Sequence, residues 1–344
     1  MAYTTIDKPS DYFNTVLYSG NGTAIGSGGQ AITGVGFAPD WTWIKERSST
    51  SPHKLLDTVR GATKELESSA TSAEATTAES LASFDSDGFT VGSNGAVNEN
   101  SQTYASWNWL AGGTASSNSD GSITSSVSAN TTAGFSICSW TGNSGTIGHG
   151  LGVKPAVIWI KSRQTANNWV VIHKGLTGGM DTNVLILTGT DAESSGGSGM
   201  AEPTSSVFTI TSGLASNDNQ IGYVFAEKKG YSKFGSYTGN ANADGSYIHL
   251  GFRPAWLLIK RSSATQSWIL YDNKRSSFNT TNDLLFANTS GVESADNSVG
   301  IDFLSNGFKC RSADDSINSG TYIYMAFAEA PFVTAGTKAA GTAR

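Results

Sequence analysis

The sequence predicts an all-β protein made of three tandem β-sandwich repeats of the jelly-roll or lectin-like kind. Its apolar runs are rich in Trp, Tyr, Phe, Val, Ile and Thr, which favour half-buried pleated strands. Only 15% of the 344 residues are charged, and Lys and Glu, common on exposed helix faces, are scarce. The 40 glycines, together with Ser, Thr and Asn, supply turns. The third observation is that one order of short motifs occurs three times along the chain.

A proline-led apolar segment is the clearest motif of the repeat. Its three copies read GFAPDWTWIK at 36–45, GVKPAVIWIK at 152–161 and GFRPAWLLIK at 251–260. Proline stands at the start of a strand, where no ladder donor is required. The residues after it are apolar on both faces. We therefore predict strands that are covered above and below, at the centre of a sandwich.

A second position recurs eighteen residues after each proline, where the chain carries Asp57, His173 and Asp272. Arg follows three residues later in the first and third copies, which predicts a local Asp–Arg interaction at a strand end. Trp169 and Trp268 precede the position by four residues in the second and third copies. As structural anchors of the repeat we take Pro39, Trp41, Asp57, Arg60, Pro155, Trp159, His173, Pro254, Trp256, Asp272 and Arg275.

Other motifs flank this segment in a constant order. YSGNG, WTGNS and YTGNA precede it, and YASWNW, GYVFAE and YIYMAFAE close the copies. Between them lie the hairpin-like SFDSDGF at 83–89 and DFLSNGF at 302–308, with SSVFTI at 205–210 as a shortened counterpart. Asp-Gly and Asn-Gly pairs favour tight turns, so we predict that Asp87-Gly88 and Asn306-Gly307 form the hairpin turns.

The repeat divides the chain into six segments. They are an N-terminal docking segment (1–11), repeat one (12–113), a linker (114–133), repeat two (134–230), repeat three (231–332) and a C-terminal tail (333–344). Residues 112–134 are polar, rich in Gly, Ser and Thr, and without periodicity, which predicts a linker or a draped loop. The stretch 68–83 is predicted to be a loop or one short helix.

No motif predicts catalysis. Asp57 and Asp272 are candidates for the carboxylate pair of glycoside hydrolysis, but they occupy equivalent positions in separate copies. A structural role is therefore favoured for both. The four histidines are dispersed without metal-ligand spacing, and the DSDG run at 85–88 lacks the later ligands of a calcium loop. We expect no enzyme, no cofactor and no metal site.

Composition also limits the partners. The net charge is -6 and no Lys/Arg cluster occurs, which argues against nucleic acid. No apolar run approaches the ~18 residues of a membrane helix, and the N-terminus lacks a secretory-signal pattern. We expect Cys138 and Cys310 to be buried free thiols. For the nine Trp residues we favour core packing over sugar stacking.

Long phrases of the chain resemble a family of structural proteins from phages of marine bacteria, often described as tail or tail-fibre proteins. The phrases are YFNTVLYSGNG…ITGVGFAPDWTWIK, SFDSDGFTVGS…YASWNWLAGG and YSKFGSYTGN…GFRPAWLLIKR…IDFLSNGF…YIYMAFAEAPF, which together cover nearly the whole chain. The resemblance implies membership of the virion. It does not imply a position on the particle.

These observations lead to three functional hypotheses. The first is a virion structural protein, tail-associated (fibre, adaptor or attachment) or capsid-decorating, synthesised in the host cytoplasm and located in the virion. Its expected partners are other virion proteins and further copies of the chain, with a host surface glycan as a further candidate. The second is a carbohydrate-binding, lectin-like module. The third is a glycosidase that depolymerises host polysaccharide.

Overall fold

The computed structural model describes residues 4–334 and is all-β. Within these residues the chain forms 28 strands, one α-helix of four residues and three 3-10 helices. All pairings between the named strands are antiparallel. The prediction of an all-β class is confirmed. None of the helices in the described part has the length and apolar character that crossing a membrane requires.

The first third of the chain forms nine strands. They are β1 (Phe13–Ser19), β2 (Gln30–Thr33), β3 (Trp41–Glu46), β4 (Lys54–Asp57), β5 (Lys64–Leu66), β6 (Ala75–Thr76), β7 (Leu81–Asp85), β8 (Gly88–Val91) and β9 (Thr103–Trp109). The helices here are 3-10 turns at Pro9–Asp11 and Ile25–Ser27, and α1 at Gly95–Asn98.

Ten strands follow in the middle of the chain. They are β10 (Ser116–Asn118), β11 (Ser125–Asn130), β12 (Phe135–Thr141), β13 (Gly145–Gly148), β14 (Val157–Ser162), β15 (Val170–His173), β16 (Asn183–Ile186), β17 (Ser194–Ser195), β18 (Val207–Ile210) and β19 (Asn219–Phe225).

The last third contains the remaining strands and one 3-10 turn at Asn297–Val299. The strands are β20 (Ser232–Thr238), β21 (Tyr247–His249), β22 (Phe252–Arg261), β23 (Ile269–Asp272), β24 (Asp283–Phe286), β25 (Ser294–Ala295), β26 (Ile301–Leu304), β27 (Gly307–Cys310) and β28 (Thr321–Pro331).

Three large sheets and three small sheets result. The large sheet 1 has the order β1-β9-β3-β4-β5-β6, large sheet 2 β10-β11-β12-β19-β14-β15-β16-β17, and large sheet 3 β20-β28-β22-β23-β24-β25. The small sheets are β2-β8-β7, β13-β18 and β21-β27-β26. The register also recurs, because Trp41 pairs with Asp57, Val157 with His173 and Trp256 with Asp272.

The apolar core has four parts. Three clusters each join residues of one large sheet to residues of the small sheet from the same part of the chain. The fourth and largest cluster collects the other faces of all three large sheets, including Trp41, Trp159 and Trp256. Alternate residues of β3 therefore serve different clusters: Trp43 lies in the shared one and Ile44 in a separate one. This confirms that the strands after each proline are buried on both faces.

The prediction of a linker or loop at 114–133 is wrong, because part of this segment forms two strands. Residues 116–118 and 125–130 form β10 and β11, which extend large sheet 2 beyond β12. Only Val127 is apolar and buried in β11, so backbone hydrogen bonds rather than an apolar pattern define these strands. The stretch 68–83 contains no helix; it holds β6 and the start of β7.

Both predicted hairpins form, but the turn residues differ from the prediction. Asp85 pairs with Gly88 and Leu304 with Gly307, so Ser86-Asp87 and Ser305-Asn306 are the turns. Glycine is required at positions 88 and 307 because the backbone of a neighbouring strand approaches it too closely for a side chain. A Cβ at Gly88 would lie 1.9 Å from the Ile32 carbonyl oxygen, and one at Gly307 would lie 2.0 Å from that of Ile248.

The N-terminal segment packs on the chain itself. Thr4 and Ile6 are buried, and Ile6 joins the shared core. The proposed docking segment 1–11 thus has an anchored part, while residues 1–3 lie outside the described range. Most of the predicted tail, residues 335–344, lies outside it too.

Candidate functional site at the contacts between the large sheets

The shared core is an aromatic cluster. The Trp41 ring stacks on Trp109 with centroids 4.3 Å apart and on Tyr223 at 4.4 Å, and it meets Trp159 edge-on at 6.0 Å. Trp256 meets Trp109 edge-on at 5.6 Å. Each aromatic side chain buries roughly 150–250 Å², so this cluster is a large source of stability. The anchor tryptophans lie in the core, as predicted.

The predicted Asp57–Arg60 interaction is present and lies between large sheets 1 and 2. Asp57 accepts hydrogen bonds from the Arg60 backbone N–H at 2.8 Å and from its Nε at 2.5 Å. Across the contact, the Tyr223 hydroxyl donates to Asp57 Oδ2 at 2.8 Å. Both charged side chains are fully buried. Burial lowers the pKa of Arg60, but Asp57 and its other neighbours outweigh burial and hold that pKa above its ordinary value.

A second ion pair extends this contact. Arg163 donates to both Glu74 oxygens, at 2.8 and 2.9 Å, in the bidentate geometry that arginine forms with carboxylates. The Glu74 backbone N–H also donates to the Arg163 carbonyl oxygen at 2.8 Å. Burial raises the pKa of Glu74, yet Arg163 and Arg60 together bring it below its usual value. The segment before β6 is thereby fixed to the end of β14.

The same arrangement joins large sheet 3 to large sheet 1. Asp272 accepts from Arg275 Nε at 2.5 Å, and the indole N–H of Trp107 donates to Asp272 Oδ2 at 3.0 Å. Glu293 pairs with Arg47 at 2.6 Å, and its backbone N–H donates to the Arg47 carbonyl oxygen at 2.9 Å. Trp107 takes the place of Tyr223, and Glu293 that of Glu74.

The third contact, between large sheets 2 and 3, uses different chemistry at the same positions. The Gly175 N–H donates to His173 Nδ1 at 2.9 Å, so Nε2 carries the proton and donates to the Tyr324 carbonyl oxygen at 3.1 Å. Burial lowers the pKa of His173 to about 3, and the ring is neutral. Leu176 and Ser262 replace the two arginines. The Glu193 N–H still donates to the Ser262 carbonyl oxygen at 2.8 Å.

The last residue of each proline-led motif is a buried lysine. Lys161 donates to the Thr71 carbonyl oxygen at 3.0 Å, and Lys260 to that of Thr190 at 3.1 Å, in both cases across a contact between large sheets. Lys45 donates to the Ser49 carbonyl oxygen at 3.5 Å. Burial lowers the pKa of all three lysines to about 8. Sequence reasoning missed their role, although a recurrent cation on the inward face of an apolar strand was a usable signal.

The residue four positions before Asp57, His173 or Asp272 makes a further contact between large sheets. The indole N–H of Trp169 donates to the Glu67 carbonyl oxygen at 2.8 Å, and that of Trp268 to Ile186 at 2.9 Å. His53 occupies this position in the first copy, and its Nε2 lies 3.1 Å from the Phe286 carbonyl oxygen. Trp169 thus joins large sheet 2 to large sheet 1, Trp268 joins large sheet 3 to large sheet 2, and His53 joins large sheet 1 to large sheet 3. The three large sheets are therefore connected in a closed ring.

The arrangement can hold strands together but does not assemble a reaction centre from the predicted candidates. Asp57 and Asp272 lie in different contacts, each with its own arginine. Pro39, Pro155 and Pro254 are buried beside or within the central strands. Within residues 4–334, no group of three or more metal-ligating side chains is placed to hold an ion. Cys138 and Cys310 are free and buried, as predicted.

Comparison with known families gives one match. The model of a family described as "Domain of unknown function (DUF7483)" matches residues 8–331. Comparisons with curated proteins and with solved structures give no match.

Proposed function

The chain belongs to the DUF7483 family, and we propose that it is a structural protein of a bacteriophage virion, on the tail or the capsid, without catalytic activity. The observation that carries the proposal is the closure of three large sheets around one shared core. The polar residues that recur in the sequence motifs, Asp57, His173 and Asp272, lie in the three contacts that join the large sheets into a closed ring. Such a module presents rigid outer faces, which is what an attachment or decoration protein needs.

The three parts of the ring are tandem β-sandwiches in this proposal. Each large sheet and its small sheet enclose an apolar cluster of their own, which supports a sandwich. Six strands of each large sheet follow the same order, with β10 and β11 added in large sheet 2, and this order together with the equal register supports a common ancestor unit. The resemblance of the motifs to marine phage structural proteins supports the assignment to a virion.

One end of the ring is suited to a threefold-symmetric partner. Three recesses lie beside the residue that follows the proline of each proline-led segment, with volumes of about 540, 390 and 180 Å³. Each is lined by the residue after the proline and the residue after the Asp or His: Asp40 and Thr58, Ala156 and Lys174, Ala255 and Asn273. Ser10 of the predicted docking segment lines the third recess. We propose this end as the one that attaches to other virion proteins.

The test is to locate the chain in purified particles of a phage that encodes it. Mass spectrometry of density-banded particles should detect it in fixed stoichiometry with the major capsid protein. A density map should show its ring-shaped outline at a threefold or quasi-threefold position. Material from uninfected cells, banded in the same way, is the control. Absence from banded particles would refute the proposal.

A carbohydrate-binding module is the second candidate function. It is favoured by one observation, the exposed Tyr247 beside His249 on the outer face of a small sheet. The glycosidase hypothesis has no such support, because its two candidate carboxylates are in separate contacts. Incubation with host polysaccharide should release no reducing ends.

A further inference from the structure

One outer face of the ring differs from its two counterparts. Ile248 pairs with Phe308 as Ile32 pairs with Phe89 and Ile147 with Phe208, which aligns the three small sheets. Tyr247 then corresponds to Ala31 and Thr146, and His249 corresponds to Thr33 and Gly148. Since the same fold forms with small side chains at these positions, the fold does not require the Tyr–His pair.

The pair is ordered and accessible. Tyr247 is 47% exposed, and its hydroxyl lies 3.1 Å from His249 Nδ1. This contact holds the two rings with centroids 6.4 Å apart. Lys233 Nζ donates to the His249 carbonyl oxygen at 2.6 Å, which fixes the end of β21. The tyrosine ring is therefore a preorganised flat apolar surface with polar groups beside it.

A recess adjoins the pair. Its volume is about 390 Å³, and its lining includes Glu227, Lys233 and His249 with the backbone of Gly230 and Gly251. This volume lies within the ~300–1,000 Å³ usual for small-molecule sites. Glu227 is fixed there because one oxygen accepts from the Phe234 N–H at 2.9 Å and the other pairs with Lys174 at 2.6 Å. Hydrogen-bond donors and an acceptor of opposite charge thus line this recess, and His249, which contacts the Tyr247 hydroxyl, connects the recess to the tyrosine ring.

We infer that this recess and the Tyr247 ring form a binding site for a neutral pyranose glycan. The inference deepens the attachment role within the proposed function and rests on it. A sugar ring has an apolar C–H face that packs on an aromatic ring. Its hydroxyls both donate and accept hydrogen bonds, which matches Glu227 together with Lys233 and His249. The recess also contains Lys229, so two lysines stand against the one carboxylate of Glu227, and a polyanion is the competing ligand that the dextran sulfate comparator separates from a neutral sugar.

The test uses the full chain and two substitutions copied from its own first repeat. Tyr247→Ala and His249→Thr introduce the residues found at the equivalent positions, so both variants should fold. Phe278→Ala is the matched control, because Phe278 is 78% exposed in the segment between β23 and β24 and does not line the recess. The probes are an array of glucose-, galactose-, mannose- and N-acetylglucosamine-terminated oligosaccharides, with dextran sulfate as the anionic comparator. Titration calorimetry with the best-bound oligosaccharide gives the dissociation constants.

The native chain should bind neutral oligosaccharides. Tyr247→Ala should weaken that binding by about tenfold or more, and Phe278→Ala should leave it unchanged. The inference is overturned if no oligosaccharide binds at millimolar concentration, if only dextran sulfate binds, or if Tyr247→Ala binds as the native chain does. Detection of the chain in particles is a separate measurement. A chain that is present in virions but binds no glycan refutes this site and leaves the proposed virion role standing.

Discussion

Replacing Arg60 by leucine tests the buried ion pair between large sheets 1 and 2. Leucine is the residue that the second repeat carries at this position, Leu176. In the variant, Asp57 keeps the hydrogen bonds from the backbone N–H of residue 60 and from the Tyr223 hydroxyl, but it loses its countercharge. Because both side chains of the native pair are fully buried, solvent cannot replace the arginine. Breaking such a pair costs about 3–5 kcal/mol.

The assay is urea unfolding followed by tryptophan fluorescence, with the free energy of unfolding taken from the midpoint and slope. The double variant Asp57→Leu/Arg60→Leu should recover part of the loss, because two apolar residues leave no unpaired charge. The control is Lys8→Ala, which removes an ion pair whose side chains are 72% and 49% exposed. It should cost less than about 1 kcal/mol. If Arg60→Leu costs no more than Lys8→Ala, the buried ion pair does not stabilise the contact between large sheets 1 and 2.

Two further predictions concern acid stability and one glycine. The pKa of His173 is lowered to about 3 in the folded chain. Below about pH 6.5 the unfolded chain therefore binds a proton that the folded chain does not, and stability should fall by about 2 kcal/mol per such residue between pH 7 and pH 5. Urea titrations between pH 7 and pH 5 give the slope of the free energy of unfolding against pH, and in His173→Asn this slope should be smaller by about one proton. An equal slope in the variant and in the native chain would contradict the lowered pKa of His173. Gly88→Ala places a Cβ 1.9 Å from the Ile32 carbonyl oxygen and should cost about 1–3 kcal/mol or more. Gly26→Ala, where the Cβ meets nothing within 4 Å, is the control and should change stability by less than about 1 kcal/mol; similar losses in both variants would refute the close-approach argument.

Local patterns predicted much of the fold. The proline-led segments are central strands, and the spacing of Asp57 and Arg60 correctly indicated a local pair, since both features depend on residues close in sequence. The shared core was beyond such reasoning. The apolar residues on both faces of β3 show that both faces must be covered. They do not show that one face of β3 packs against the corresponding faces of β14 and β22, because those strands are far away in the sequence.

The errors have equally physical causes. β10 and β11 were missed because they are polar strands, formed by backbone pairing at the edge of large sheet 2. The hairpin glycines were assigned to turns because Asp-Gly is a strong turn signal, whereas the neighbouring strand requires Gly88 to lack a side chain. The contacts of Lys161 and Glu74 join parts of the chain far apart in sequence, so no local pattern could show them.

Calorimetric unfolding of the full chain tests the shared core most directly. If the three large sheets enclose one core, they should unfold together in a single transition whose calorimetric enthalpy equals its van't Hoff enthalpy. Residues 12–113 alone should not fold, because Trp41, Trp43, Trp107 and Trp109 would be left uncovered. Separate transitions for the three parts, or cooperative folding of that fragment by itself, would show that the three large sheets do not depend on one shared core.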